Sequence, residues 1–320
     1  MPVAVSRRKK SPVRIAAWIA AALLVIGICS ELLLRFVLGL GNPVVVVPDA
    51  ACAYTLAPNQ NTFRFFCHTH TNRYGMRSDA FAPEPAPGTL RIMFVGDSVT
   101  YGTSHVDQSR IFTELLHRGL PSVLHQPVEV LNASAGAWAI DNELSWLRSR
   151  GTFHSKIVVL VLNSDDLPQP RAQITDVGDD TAQNYSHTAL GELWTRLLKP
   201  RLFHTAPHVD AGDAAIINQE TIRANLAELD AFQKLTAANG ARMALLYIPF
   251  RHEIPSPAVQ SEETLTAWAT AHHVPFFDMT SVEAAWPVHA ISLDGVHLNV
   301  HGNQVVADAV EKEWDSKMSQ

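Results

Sequence analysis

Between residues 90 and 318, apolar strand-like runs alternate with amphipathic stretches at helical spacing, and this rhythm limits the possible folds more than any other feature of the chain. "LRIMFVG" leads into "RIFTELLHRGL", "VEVLNAS" precedes "NELSWLRSRG", and "KIVVLVLN" is an apolar run with a polar end. After a longer interval, Ile222, Leu226, Leu229, Phe232 and Leu235 mark one face of a helix, which Gly240 ends. "ARMALLYIP", the helical "SEETLTAWATAHH", "VPFFDM" and a last helix from about Asn303 complete the series. Strands that are apolar throughout, rather than at every second position, need cover on both faces. The pattern therefore predicts an α/β fold with a mostly parallel sheet between two helical layers. A hydrophobic share of 47% in 320 residues is enough for such a core.

In sheets of this kind, ligands bind beyond the carboxyl ends of the strands. Three polar segments stand at such ends: Gly96-Asp97-Ser98, residues 132–136 and residues 163–166. A serine hydroxyl is a weak nucleophile until a base takes its proton, and the base works best when a third group fixes its tautomer. "SLDGVHLNVHGN" supplies both groups. Asp294 precedes His297 by three residues, so a turn brings its carboxylate to one imidazole nitrogen and leaves the other for Ser98. Asp97 reads as a structural hydrogen-bond partner of its own loop. His297 and His301 lie four apart without the glutamate or third ligand of a zinc motif, and His68 and His70 also lack a third ligand. No metal is expected, and the chemistry requires no cofactor.

Lys and Arg total 25 against 31 acidic residues, and the net charge of −6 gives no reason to expect a nucleic-acid partner. The densest basic cluster, "RRKK" at residues 7–10, precedes an apolar run from Ile15 that continues, broken only by Glu31 and Arg35, to about residue 40. Such a run can cross a bilayer with some tilt, and Glu31 and Arg35 are one helical turn apart, where they can pair near an interface. The basic flank, residues 1–14, would stay in the cytoplasm, placing residues from about 42 onward outside the inner membrane. A cleaved signal peptide is the competing reading, but no small-x-small cleavage site follows the apolar core. In an exported body, Cys52 and Cys67 are expected to close a loop of about 15 residues, contributing roughly 3 kcal/mol; two unpaired thiols are the alternative.

Residues 42–89 read as an extended subregion, with a half-buried strand around Phe63–Cys67 and the proline-rich "FAPEPAPGT" as a linker. Residues 167–215 interrupt the later rhythm as an insertion or a lid, with "GELWTRLL" as a short amphipathic helix inside it.

Three segments together resemble the SGNH, or GDSL-type, hydrolases. "FVGDSVTYG" resembles the first block of that family, with Ser98 as nucleophile. "LNASAGAW" resembles the second, where the Gly136 N–H would face the oxyanion, and "DGVHLNVHGN" the last, with Asp294 and His297 as acid and base. "YTLAPN…THTNRYGMRSD" is similar to the preface of membrane-anchored members that act in the cell envelope. The resemblance implies a flavodoxin-like three-layer fold and an esterase or O-acyl (O-acetyl) transferase. It also implies an envelope glycan or lipid ester as substrate, met on the periplasmic side, and partners in envelope assembly. The third block departs from the pattern: "LNSDDL" puts Asp165 where the family has an oxyanion-donating Asn, with Asp166 as the following structural Asp. An ionised carboxylate only accepts hydrogen bonds. Either Asn163 substitutes, or Asp165 is protonated, or the chain is a catalytically silent carbohydrate-binding or assembly subunit that keeps the fold.

Overall fold

The structure, a computed structural model, describes residues 12–176, 181–182, 186–203, 219–251 and 260–319. The basic cluster at 7–10 and residues 204–215 of the insertion lie outside them.

One helix, α1 (Pro12–Val37), is long and apolar enough to cross a membrane and has no buried residue. Two hairpins follow: β1 (Val44–Asp49) with β2 (Ala53–Leu56), and β3 (Asn61–Arg64) with β4 (Cys67–His70). The half-buried strand expected around 63–67 is broken, because Phe65 and Phe66 both take positive φ and form the turn between β3 and β4. The Phe65 ring stacks on His105 with centroids 4.7 Å apart.

The expected Cys52–Cys67 bridge is not formed; both are free thiols. Cys52 is buried in the core beneath the first hairpin, where its Sγ meets Asp49 Oδ1 and the Tyr54 carbonyl. Cys67 starts the second strand of the other hairpin and faces the Phe65 carbonyl. Burial first, then the Asp49 charge and hydrogen bond, push the Cys52 thiol up to about 12.

The main sheet is built from β5 (Leu90–Gly96), β6 (Val128–Ser134), β7 (Ile157–Leu162), β9 (Arg242–Tyr247) and β10 (Phe276–Asp278). All pairings are parallel, in the order β10-β9-β7-β5-β6. Counted within this sheet the order is 2-1-3-4-5, the flavodoxin-like arrangement, which opens a crevice between its first and third strands. The short β8 (Thr181–Ala182) instead pairs with β1.

Strand residues alternate between two cores, as the pleat requires. Met93, Val95, Leu160, Leu162 and Leu245 pack with α4 (Ile140–Arg150), α7 (Gln219–Ala238) and α8 (Gln260–Ala271) through Leu144, Trp146, Phe232 and Trp268. Ile92, Phe94, Val159, Val161 and Leu246 face the other way, toward Phe112 and Leu116 of α3 (Phe112–Leu124) and Val306 and Trp314 of α11 (Val300–Met318). Short helices complete the chain: α2 (Ser98–Tyr101), α5 (Ala189–Glu192), α6 (Lys199–Phe203), α9 (Thr280–Ala284) and α10 (Val288–Ile291).

The described parts of the insertion run along the N-terminal subregion. Arg171 contacts Asp141 and the Ala51 carbonyl, β8 joins β1, and α5 packs against α1.

Candidate active site

Strand β5 ends at Gly96, and the chain turns at once into α2. A Cβ at Gly96 would lie 2.1 Å from Thr100 Oγ1 and 3.1 Å from Val161 Cβ, so only glycine lets the turn fold this tightly against β7. Asp97 caps α2, its Oδ1 accepting from the Val99 N–H at 2.9 Å. This leaves Ser98 half-buried at the lip of the crevice beside β7.

The opposite wall is the loop entering α11. Asp294 Oδ1 accepts from the N–H groups of Val296 and His297 at 2.9 and 2.8 Å, a local turn that fixes the three-residue offset. Asp294 Oδ2 lies 2.7 Å from His297 Nδ1, and His297 Nε2 lies 2.9 Å from Ser98 Oγ. A carboxylate can only accept, so Nδ1 carries the proton and Nε2 is left to accept from the Ser98 hydroxyl. Partial burial disfavours the Asp294 charge. The hydrogen bonds from the His297 ring and N–H, the imidazolium charge and the Val296 N–H outweigh it, holding the carboxyl well below the ordinary range. Asn299 caps α11 through the Gly302 N–H, and the Asn299 N–H donates to the Ile291 carbonyl, so the His297 loop is held at both ends.

The third wall is the turn after β7. The Asn163 side chain donates to Asp97 Oδ2 at 2.9 Å, the same oxygen that lies 3.5 Å from Ser98 Oγ. Asn163 Oδ1 accepts from the Asp165 N–H at 2.8 Å, and Asp166 Oδ2 accepts from the Asn163 N–H at 2.5 Å. Asn163 and Asp166 are buried, while Asp165 is exposed at the turn. Gly136 is buried in the loop after β6, and its carbonyl accepts from the Tyr54 hydroxyl at 2.6 Å. That bond orients the Gly136 peptide from the N-terminal hairpin.

Two features are not legible in the motifs. Glu143, on α4, is completely buried, and neither of its carboxyl oxygens has a hydrogen-bond partner. Burial, then the charges of Asp166 and Asp97, push its pKa well above the ordinary value; burial and the Asp97 charge do the same to Asp166. Asp97 is also raised, by burial against the pull of its N–H donors and His297. Burial thus disfavours the charged form of Glu143 more than that of an ordinary carboxyl. The second feature is Arg77, buried behind the loop after α2, which donates to the carbonyls of Tyr101, Thr103 and Val106 and to Gln108. His68 and His70, on β4, lie against Asp107 and Asp79.

No family model matches the chain, and no curated protein sequence does either. Among solved structures, the chain is similar in fold to TesA, with 16% identity and a TM-score of 0.44 over 71% of this chain and 97% of that one. It is similar also to a member of the lipolytic protein G-D-S-L family from Veillonella parvula DSM 2008, with 14% identity and a TM-score of 0.44 over 71% and 98%. A third similar structure is the acetylxylan esterase Axe2 from Geobacillus stearothermophilus, with 13% identity and a TM-score of 0.44 over 72% and 96%.

Proposed function

We propose that this chain is a membrane-anchored serine esterase that cleaves acyl esters through an acyl-Ser98 intermediate. The observation that carries the proposal is the unbroken line from Asp294 Oδ2 through His297 to Ser98 Oγ, at 2.7 and 2.9 Å. In that line His297 Nε2 takes the hydroxyl proton as Oγ attacks the ester carbonyl, and Asp294 stabilises the imidazolium that forms. The N–H groups of Ser98 and Gly136 face the oxyanion of the tetrahedral intermediate. His297 then gives the proton to the departing alcohol, and water, activated by the same nitrogen, releases the acid and restores the serine. A sugar hydroxyl in place of water would make the same intermediate serve O-acyl transfer. An O-acetylated envelope glycan, or a lipid ester, is the substrate that fits a site tethered beside a membrane.

Retention of α1 as an anchor is supported by how its C-terminal end is used. Glu31 accepts from the N–H groups of Ala189 and Leu190 at 2.8 and 2.9 Å, and Arg35 donates to the His187 carbonyl. Residues just past the helix are core: Leu40 is fully buried, and the Gly41 N–H donates to Glu192, which is ion-paired with buried Arg64. Cleavage after Glu31 would remove the carboxylate that takes the Ala189 and Leu190 N–H groups of α5.

The test is acetate release from small acetyl esters and O-acetylated oligosaccharides by the detergent-solubilised full chain. Wild-type release that is absent in Ser98→Ala supports the esterase. Equal release by both chains removes Ser98 from the chemistry. Asp165 favours the second reading, a silent binding subunit; that reading requires saturable glycan binding with no release from any ester.

A further inference from the structure

We propose that residues 189–203 form an amphipathic foot that lies in the lipid headgroup layer beside α1, fixing the height and tilt of the domain on the bilayer. This rests on the reading of α1 as a retained membrane span. Leu190, Trp194, Leu198 and Leu202 recur every fourth residue and are 38%, 48%, 40% and 61% exposed. In a regular α-helix, four residues overshoot one turn by about 40°, so such a row would drift around the axis. Here the middle of the segment, Leu193–Leu198, is a π-helical turn between α5 and α6. The wider turn takes back the overshoot, which keeps the four apolar side chains on one face. The opposite face is tied to the body through buried Ala189 and Glu192, the latter ion-paired with Arg64.

Three observations select a bilayer as the occupant of this stripe. The first is continuity with the candidate span: both carboxylate oxygens of Glu31 cap the start of the segment at Ala189 and Leu190, and α5 packs on α1. The second is depth. From Ile15, where the apolar run begins, to Ser30, α1 measures about 24 Å at 1.5 Å per residue, against a hydrocarbon core of about 30 Å. Glu31 therefore stands within about one helical turn of where the helix leaves the hydrocarbon, and the segment it caps starts near the headgroup boundary. The third is composition. Trp favours the interface, and exposed Lys199 and Arg201 flank the stripe on either side, about 100° from Leu198 and Leu202, where their stems can lie along it while their charges meet anionic headgroups.

The experiment uses the full chain with Cys29→Ser and Cys67→Ser, a single new cysteine carrying an environment-sensitive fluorophore, and vesicles of phosphatidylcholine and phosphatidylglycerol. Labels are placed through Leu198→Cys, Leu202→Cys, Leu24→Cys in the span, and Asp308→Cys on exposed α11. Brominated lipid should quench the labels at 24, 198 and 202 severalfold more than the label at 308, and aqueous iodide should do the reverse. Quenching at 24 with none at 198 or 202 overturns the foot while the anchor stands. Quenching at neither 24 nor 198 overturns both. A label at 198 shielded from iodide yet untouched by brominated lipid would assign the stripe to a protein contact and overturn the lipid assignment. As a second variant, Leu198→Glu with Leu202→Glu should abolish lipid quenching of a label placed by Leu190→Cys and leave that at 24 unchanged; unchanged quenching at 190 also overturns the proposal.

Discussion

At the scale of single residues, the site rests on a few groups whose environments differ sharply. Donors hold the Asp294 carboxyl well below the ordinary range, while burial pushes that of Glu143 well above it. Asp165→Asn replaces an acceptor with a donor at nearly constant volume. Hydrolysis of a small acetyl ester is expected to rise by about tenfold or more, toward the roughly 10²–10³ that one oriented donor supplies in acyl transfer. A fall in kcat with unchanged folding would give the Asp165 carboxylate a role of its own. A second residue-scale prediction concerns Glu283. It is buried 3.9 Å from Arg251, with no donor on either oxygen, so burial outweighs the Arg251 charge and raises its pKa to about 8. At neutral pH the pair is a contact between a neutral acid and a cation rather than a salt bridge. Between its ordinary value of 4.5 and about 8, the folded chain holds a proton that the unfolded chain has released. The stability that Glu283 contributes is therefore full below 4.5 and is lost as pH rises toward 8, at no more than about 1.4 kcal/mol per pH unit. Glu283→Gln should flatten the decline of Tm over that window. An equally steep decline in the variant would remove Glu283 as its source.

At the scale of elements, the strand-helix rhythm was readable because each strand is apolar on both faces and each helix on one. The 2-1-3-4-5 order, by contrast, depends on which edges pair, which no local pattern contains. Ser98, Asp97, Asp294 and His297 were legible from their strand-end and loop positions. Asn163 was legible as a polar strand end, but its partner, Asp97 across the crevice, was not. Expected export and close spacing suggested the Cys52–Cys67 bridge, yet the two thiols belong to different hairpins with different partners. Periodicity also ran a strand through Phe65 and Phe66, where the chain turns. Arg77 shows why the subregion before the sheet matters: it ties three carbonyls of the loop behind Ser98. Arg77→Ala leaves those buried carbonyls unpaired at about 1–3 kcal/mol each. A loss of about 3 kcal/mol or more in chemical denaturation is expected, and a loss below about 1 kcal/mol would mean that water replaces the guanidinium.

At the scale of the whole molecule, α1, the hairpins and the sheet act as one support. The end of α1 caps α5, the hairpins hold Gly136 and the loop after Ser98, and the sheet sets the crevice. A retained anchor predicts that the chain isolated from cells still carries α1 and leaves the membrane only in detergent. A soluble product starting near residue 42 would show that α1 is removed. The central claim is that His297 activates Ser98, and covalent capture by a fluorophosphonate tests it without knowledge of the substrate. Intact-mass measurement of the full chain in detergent should show one adduct, mapped by peptide sequencing to Ser98, and none in Ser98→Ala or in folded His297→Ala. A well-folded wild-type chain that takes no adduct, or one that is labelled equally when His297 is replaced, would contradict the account.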